Sequence, residues 1–242
     1  MGDRDGQYND FAYYYDELTG DIDYDSWCGF IIKALKDNNI QYDDVLEMAC
    51  GTGNMSFRMA ERGYNVTAFD LSSDMLSIAS GKALDRGVNI NFLCQDMRDI
   101  KIKDKYGIIL CMCDSINFLD GSDDLMRLFK WVNCHLKDGG IFIFDINSSY
   151  KLRQIIGNNI FTYDNDNIVY IWDNSLYTDK VEFSLTFFIK QGRLYKRFDE
   201  SHVERIYETD HVIECLEGSG LNDIQCYDGY TFCAVHDRSE RI

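Results

Sequence analysis

Apolar and polar positions change rhythm twice along the chain. Within residues 1–42, the stretch DIDYDSWCGFIIKALK spaces Trp27, Phe30, Ile31, Ala34 and Leu35 at helical intervals, which predicts a helix with one buried face. From Asp43 to Asn147, short apolar runs at 45–49, 66–69, 90–94, 108–112 and 141–146 read as strands, with helical patterns between them. Asn54, Ser72 and Ser122 are placed to cap those helices, and Gly63, Gly87 and Gly139 to stop them. Such alternation predicts right-handed crossovers and a parallel sheet with helices on both faces. After Ser148 the rhythm is lost. Residues 168–173, 181–190 and 194–207 are β-rich, separated by Asn-Ser and Gln-Gly turn signals, and read as an antiparallel meander. A helix at about 209–217 and a strand at 223–228 complete the pattern.

Composition narrows the partners. The 242 residues carry 24 Lys+Arg against 41 Asp+Glu, a net charge of −17. That excess argues against nucleic acid and against an anionic membrane surface, both of which need a basic face. A small molecule or a cationic group is the easier partner. Nine cysteines, an odd number, with no basic start followed by an apolar run, point to a reduced cytoplasmic protein. No Cys-x-x-Cys or His-x-x-x-His pair occurs, so Cys111 and Cys113 read as small strand residues and no metal is expected. No apolar stretch is long enough to cross a bilayer.

The stretch VLEMACGTGN, residues 45–54, carries the chemistry. A strand runs into Gly51-Thr52-Gly53, and a helix begins near Asn54. The glycines let the backbone turn sharply and a ligand come close, and the free N–H groups of the helix start favour electron-rich atoms. Asp70 ends the second strand, where a carboxylate can accept both hydroxyls of a ribose or simply cap the next helix. Ser56 stands where a dinucleotide site has its third glycine, which weakens a pyrophosphate reading. Glu47 sets a carboxylate beside the turn, unhelpful to a pyrophosphate but suited to a cation. At the third strand end, Asp96 can take an adenine amino proton while Met97 covers the ring. Adenosine, no phosphate and a positive charge together describe S-adenosylmethionine.

The chain resembles the class I S-adenosylmethionine-dependent methyltransferases. The resemblance rests on LEMACGTGN, FDLSSDML, CQDMRD, CDSINFL and LKDGGIFIFDINS, in order and at the family's spacing. It is nearest the bacterial branch with an FAxxYDxL start, matched by FAYYYDEL, which is related to the sugar N,N-dimethyltransferases; Glu200-Ser201-His202 matches that branch's ESH segment. The resemblance implies that Glu47 through Gly53 hold the methionine portion, with Ala49 among them and Gly51 and Gly53 in closest contact. It implies that Asp70 binds the ribose, that Leu71 and Met75 line the adenine, and that Asp96 with Met97 completes the pocket. The Cys113 carbonyl would meet the cofactor's amino group, and Tyr15 would belong to an N-terminal lid. Three departures stand out: Glu47 stands where Asp is commoner, Asp138 replaces the usual proline of LKPGG, and Phe118 takes the place of a histidine in the sugar-amine enzymes.

The fold expected is a Rossmann-like, seven-stranded, mostly parallel sheet with helices on both faces and a small antiparallel β-rich insertion after the fifth strand. It divides into a lid segment (1–42), a cofactor-binding core (43–147), a substrate-covering insertion (148–208) and a C-terminal part of the sheet (209–242). Because the last hairpin of such a sheet lacks its second arm, the natural chain is expected to continue past Ile242. The reaction expected is in-line methyl transfer to a small-molecule acceptor. The alternatives are a nicotinamide-dependent oxidoreductase and a non-catalytic S-adenosylmethionine-binding regulator. His202 is the candidate base: it alternates with Glu200 and Glu204 on one strand face, which is either solvated or raises the imidazole pKa. Residues 1–20 place tyrosines and Phe11 beside Asp3, Asp5, Asp10 and Asp16, a segment expected to close over the site or to pack there permanently.

Overall fold

A computed structural model describes residues 9–242. Two short helices, α1 (Asn9–Ala12) and α2 (Tyr15–Leu18), precede α3 (Tyr24–Asp37). Asp23 caps α3 by accepting from the Ser26 amide, and the helix buries Cys28 together with Ile31, Ala34 and Leu35 of the expected stripe, while Trp27 and Phe30 are half-buried. The core then alternates as β1 (Asp44–Met48), α4 (Asn54–Glu61), β2 (Asn65–Asp70), α5 (Ser73–Arg86), β3 (Asn91–Cys94) and β4 (Tyr106–Cys111). A single 3-10 turn (Ser115–Phe118), α6 (Ser122–His135) and β5 (Leu136–Phe144) follow. Ser72 caps α5 and Gly87, at φ +65°, ends it.

The five strands form one parallel sheet in the order β3-β2-β1-β4-β5. Successive residues go to opposite faces: Leu46, Phe69 and Ile109 pack beneath α6, while Val45, Ala68 and Ile108 pack against α3 and α4. Every residue of β4 is buried, as a central strand covered on both sides must be. Met48 of β1 stands level with Phe69 of β2 and Cys111 of β4, so three strands release their chains side by side. Loops leaving that edge are where a ligand site belongs.

A π-helical turn (Lys151–Ile156) leads to β6 (Ile160–Asp164), β7 (Ile168–Leu176), β8 (Lys180–Gln191) and β9 (Leu194–Arg205), and α7 (Thr209–Gly218) returns the chain to the core. These strands form a separate antiparallel sheet in sequential order, one strand more than the expected meander.

Several expectations need correction. Asn54 and Ser122 do not cap their helices but begin them, with Gly53 and Gly121 in the cap positions. The parallel sheet has five strands, not seven. Residues 223–228 form no strand, because the following aromatics fold back onto α3: Tyr230 stacks on Trp27 at 3.9 Å and Phe232 packs on Phe30 at 4.5 Å. The last residues instead run antiparallel to the segment after β5, with Ile146 and Ile242 exchanging backbone hydrogen bonds of 2.8 and 3.1 Å. Gly139 stops no helix; α6 ends at His135 and Gly139 lies inside β5.

This tail brings Arg241 into the interior. Its guanidinium pairs with Asp114 at 2.8 Å and with Asp145, which also accepts the Tyr230 hydroxyl at 2.6 Å. Removing the cation would leave two carboxylates facing each other in a poorly hydrated site. Arg241→Gln is expected to lower the unfolding free energy by about 3 kcal/mol or more, measured by urea denaturation. A midpoint equal to the parent's would mean that the cluster carries no stability.

Candidate active site

A cavity of about 670 Å³ opens at the strand ends. Ten of the twelve residues singled out from sequence line it: Tyr15, Glu47, Ala49, Gly51, Asp70, Leu71, Met75, Asp96, Met97 and Cys113. Gly53 and His202 do not.

The floor is built from backbone in the left-handed region. β1 leaves through Ala49 (φ +50°) and Gly51 (φ +55°), and β4 through Cys113 (φ +57°) and Asp114 (φ +51°). Non-glycine residues adopt this conformation only where their surroundings enforce it. At the first turn, the Asp70 carboxylate accepts the Gly51 and Ser72 amides, both at 2.8 Å, and so ties β2 to the turn after β1. At the second, Asp145 accepts the Asp114 amide at 2.9 Å and Arg241 braces both side chains. A Cβ on Gly51 would meet nothing within 4 Å, so its surroundings leave room for a ligand. Gly53 differs: a Cβ there would come within 2.9 Å of the Phe57 ring, so this glycine serves the packing of α4.

Glu47 is buried in the cavity wall. Burial, reinforced by the nearby Asp70 charge, pushes its pKa up to about 8 against hydrogen bonds from the Ser56 hydroxyl and backbone amide. Burial also raises Asp70, opposed by its amide donors. Cys113 has its thiol 3.8 Å from the Tyr24 hydroxyl, and burial pushes that thiol far above its usual range, which leaves it no nucleophile.

The third strand end carries a cation that sequence reading missed. Arg98 Nε donates to both oxygens of Asp96, at 2.9 and 3.0 Å, and Arg98 also reaches Asp120 at 3.4 Å. An adenine amino group would therefore share the Asp96 carboxylate with Arg98.

The N-terminal helices form the roof. Phe11 packs on Phe187 of β8 at 5.2 Å and Tyr14 stacks on Phe198 of β9 at 6.3 Å. Asp16 then reaches the glycine turn, accepting from Thr52 at 2.6 Å, Asn54 at 2.9 Å and Lys82 at 2.7 Å. Burial opposes the charge, but these three donors hold the Asp16 carboxyl below its usual pKa. Asp3, Asp5 and the Asp10 side chain of the expected lid lie outside the described part of the structure.

His202 requires a correction. It lies buried on β9, its ring 6.4 Å from Phe11 and 6.2 Å from Phe118, and burial lowers its pKa to about 4. Its neighbours do not raise it, because Glu204 is itself buried, pushed well above its normal pKa, and hydrogen-bonded by Asn147 at 2.8 Å. The residues of β9 that line the cavity are Val203 and Arg205, on the opposite face.

Among the described residues, no group of three His, Cys, Asp or Glu side chains is arranged to hold a metal ion, and no helix is long and apolar enough to cross a membrane.

Residues 45–140 match the methyltransferase domain family. A Geobacillus sp. (strain WCH70) protein named as a methyltransferase is 35% identical over 97% of this chain and 97% of its own. An S-adenosylmethionine-dependent methyltransferase from Clostridium acetobutylicum ATCC 824 superposes with a TM-score of 0.90 at 43% identity, covering 97% of this chain and 96% of that one. The sugar N-methyltransferase KedS8 from Streptoalloteichus sp ATCC 53650 shares the fold, with a TM-score of 0.76 at 16% identity over 86% of this chain and 83% of its own. The chain belongs to the class I S-adenosylmethionine-dependent methyltransferases. Its cofactor is S-adenosylmethionine, and the nicotinamide-dependent alternative falls with that membership.

Glu47 gives a pH signature. A folded pKa of about 8 against an ordinary value of 4.5 means that the folded state binds the proton more tightly. The stability it contributes is complete below the unfolded pKa and is lost as pH rises towards 8. Glu47→Gln, which keeps an acceptor for Ser56, is expected to stabilise the ligand-free protein at the alkaline end by on the order of 2 kcal/mol and to match the parent in acid. Thermal unfolding across that range checks it; parallel curves would refute the assigned pKa.

Proposed function

We propose that this enzyme transfers the methyl group in line to a small-molecule acceptor held beneath α2 and the β8–β9 edge of the second sheet. The observation that carries the reading is the roof. Tyr15, Lys180, Val203 and Arg205 face the strand ends across one cavity of about 670 Å³, in the size range of small-molecule sites.

The residues present fit the cofactor. Glu47 is a buried carboxyl held by the Ser56 hydroxyl and the Ser56 backbone amide, neither of them charged, an environment that a cationic ligand improves. In this reading Glu47, Ala49 and Gly51 border the methionine portion, and the free lone pairs of Asp70 take the ribose hydroxyls. Leu71, Met75 and Met97 enclose the adenine, and the Cys113 carbonyl accepts from the ammonium group. Gly53 contributes by letting α4 pack close behind the turn. When bound, S-adenosylmethionine supplies a methyl carbon already activated by the sulfonium. What remains for the chain is to align the acceptor and exclude water. His202 is assigned packing against Phe118 and no proton transfer. Phe118 itself, standing where the sugar-amine branch carries a histidine, argues for an acceptor other than an amino sugar.

The test is turnover. Incubation with methyl-deuterated S-adenosylmethionine and a pool of bacterial small molecules should place label in a small molecule, read by mass spectrometry. Label found only in protein, or none, overturns the reading.

The Asp16–Lys82 contact should govern access. Lys82→Met removes a partly exposed ion pair within a hydrogen-bonded group and is expected to speed S-adenosylhomocysteine release about fivefold. Hydrogen exchange over residues 11–18 should rise in the variant and fall on ligand binding. Unchanged protection in every state would mean that the segment is permanently packed.

A further inference from the structure

The two halves of the cavity differ in charge. Glu47 and Asp70 lie at the strand ends, whereas the second sheet contributes Lys180 and Arg205. These two are direct partners across β8 and β9, at the first residue of one strand and the last of the other. Like charges placed opposite one another on a strand pair repel, so their shared position on a cavity wall calls for an anion.

The chain's own counter-ions satisfy the pair from outside. Arg205 Nη1 meets Asp179 and Lys180 meets Glu182, both at 2.5 Å. Asp179 is 67% exposed and Glu182 37%, whereas the two cations are 26% and 28% exposed, so the carboxylates lie on the solvent side. Arg205 Nε is buried with no hydrogen-bond partner. An unmatched guanidinium N–H is costly, and a planar oxyanion on that edge matches it through parallel hydrogen bonds. In a chain of net charge −17, two cations paired on the wall facing the cofactor half are a local reversal.

We propose that Lys180 and Arg205 form an anion-binding subsite that selects a methyl acceptor bearing a carboxylate or phosphate group. The proposal rests on the small-molecule reading above.

The experiment separates the two. The dialysable fraction of a bacterial extract is split on an anion exchanger, and each part is incubated with enzyme and methyl-labelled S-adenosylmethionine. Label is expected in the retained part. Arg205→Gln and Lys180→Gln should each slow transfer at limiting acceptor about tenfold or more, with S-adenosylmethionine affinity held within about twofold as proof of an intact fold. Arg193→Gln, on the exposed β8–β9 turn, should leave the rate unchanged. Phosphatase treatment of the retained part before incubation that abolishes its labelling identifies a phosphate; labelling that survives the treatment identifies a carboxylate. Transfer only to the unretained part, or variants as fast as the parent with retained acceptors, overturns the subsite. Transfer to neither part overturns the small-molecule reading, and the subsite falls with it.

Discussion

The backbone N–H of Asp114 is held by Asp145, and Arg241 neutralises both carboxylates from the end of the chain. The turn after β4 depends on this contact. Cys113 and Asp114 both occupy left-handed backbone, which costs roughly 1–2 kcal/mol per non-glycine residue. Without an enforced geometry the turn would relax, and Cys113 would lose its place on the cavity wall. Asp70 does the equivalent work one strand over, through the Gly51 amide. The cavity floor is therefore two strained turns, each pinned by a carboxylate from the neighbouring strand region. This is why the site sits at the strand ends and why its shape exists before any ligand arrives.

The same carboxylates set the electrostatics. At Asp70 the Ser72, Gly51 and Leu71 amides oppose burial, whereas Glu47 is held by Ser56 alone and lies beside the Asp70 charge, so burial acts on Glu47 with less opposition. A protonated carboxyl in the wall is a reserve of negative charge that ionises when a cation comes near. Ser56, which reads in sequence only as a missing third glycine, turns out to be the residue that holds Glu47 in place. The position that weakens a pyrophosphate reading is thus the one that steadies Glu47.

Much of this was legible in the sequence where the information is local. Strand–helix alternation, the Ser72 cap and the glycine turn each depend on residues a few positions apart, and the turn in turn locates Asp70 at the next strand end. The sheet's outer part was not legible. Arg241 meets Asp145 across 96 residues, and Asp16 meets Lys82 across 66, with no periodicity to announce either pair. Residues 223–228 have a strand-like composition, but Trp27 and Phe30 of α3 offer the following aromatics a better surface than the sheet edge does.

The reading of β9 failed for a different reason. Its period was identified, and so was the fact that residues 200, 202 and 204 share a face. What a strand's period cannot say is which face meets the cavity, because a shift of one residue exchanges them. The polar residues suggested the wet side, yet Arg205 and Lys180 occupy the cavity wall while His202 and Glu204 are buried behind it. Burial of an imidazole and a carboxyl together is tolerable because each gives up its charge: His202 by a lowered pKa, Glu204 by a raised one. His202 and Glu204 therefore stand behind the site as uncharged, packed side chains, and the residues of β9 that line the cavity are the alternate positions Val203 and Arg205.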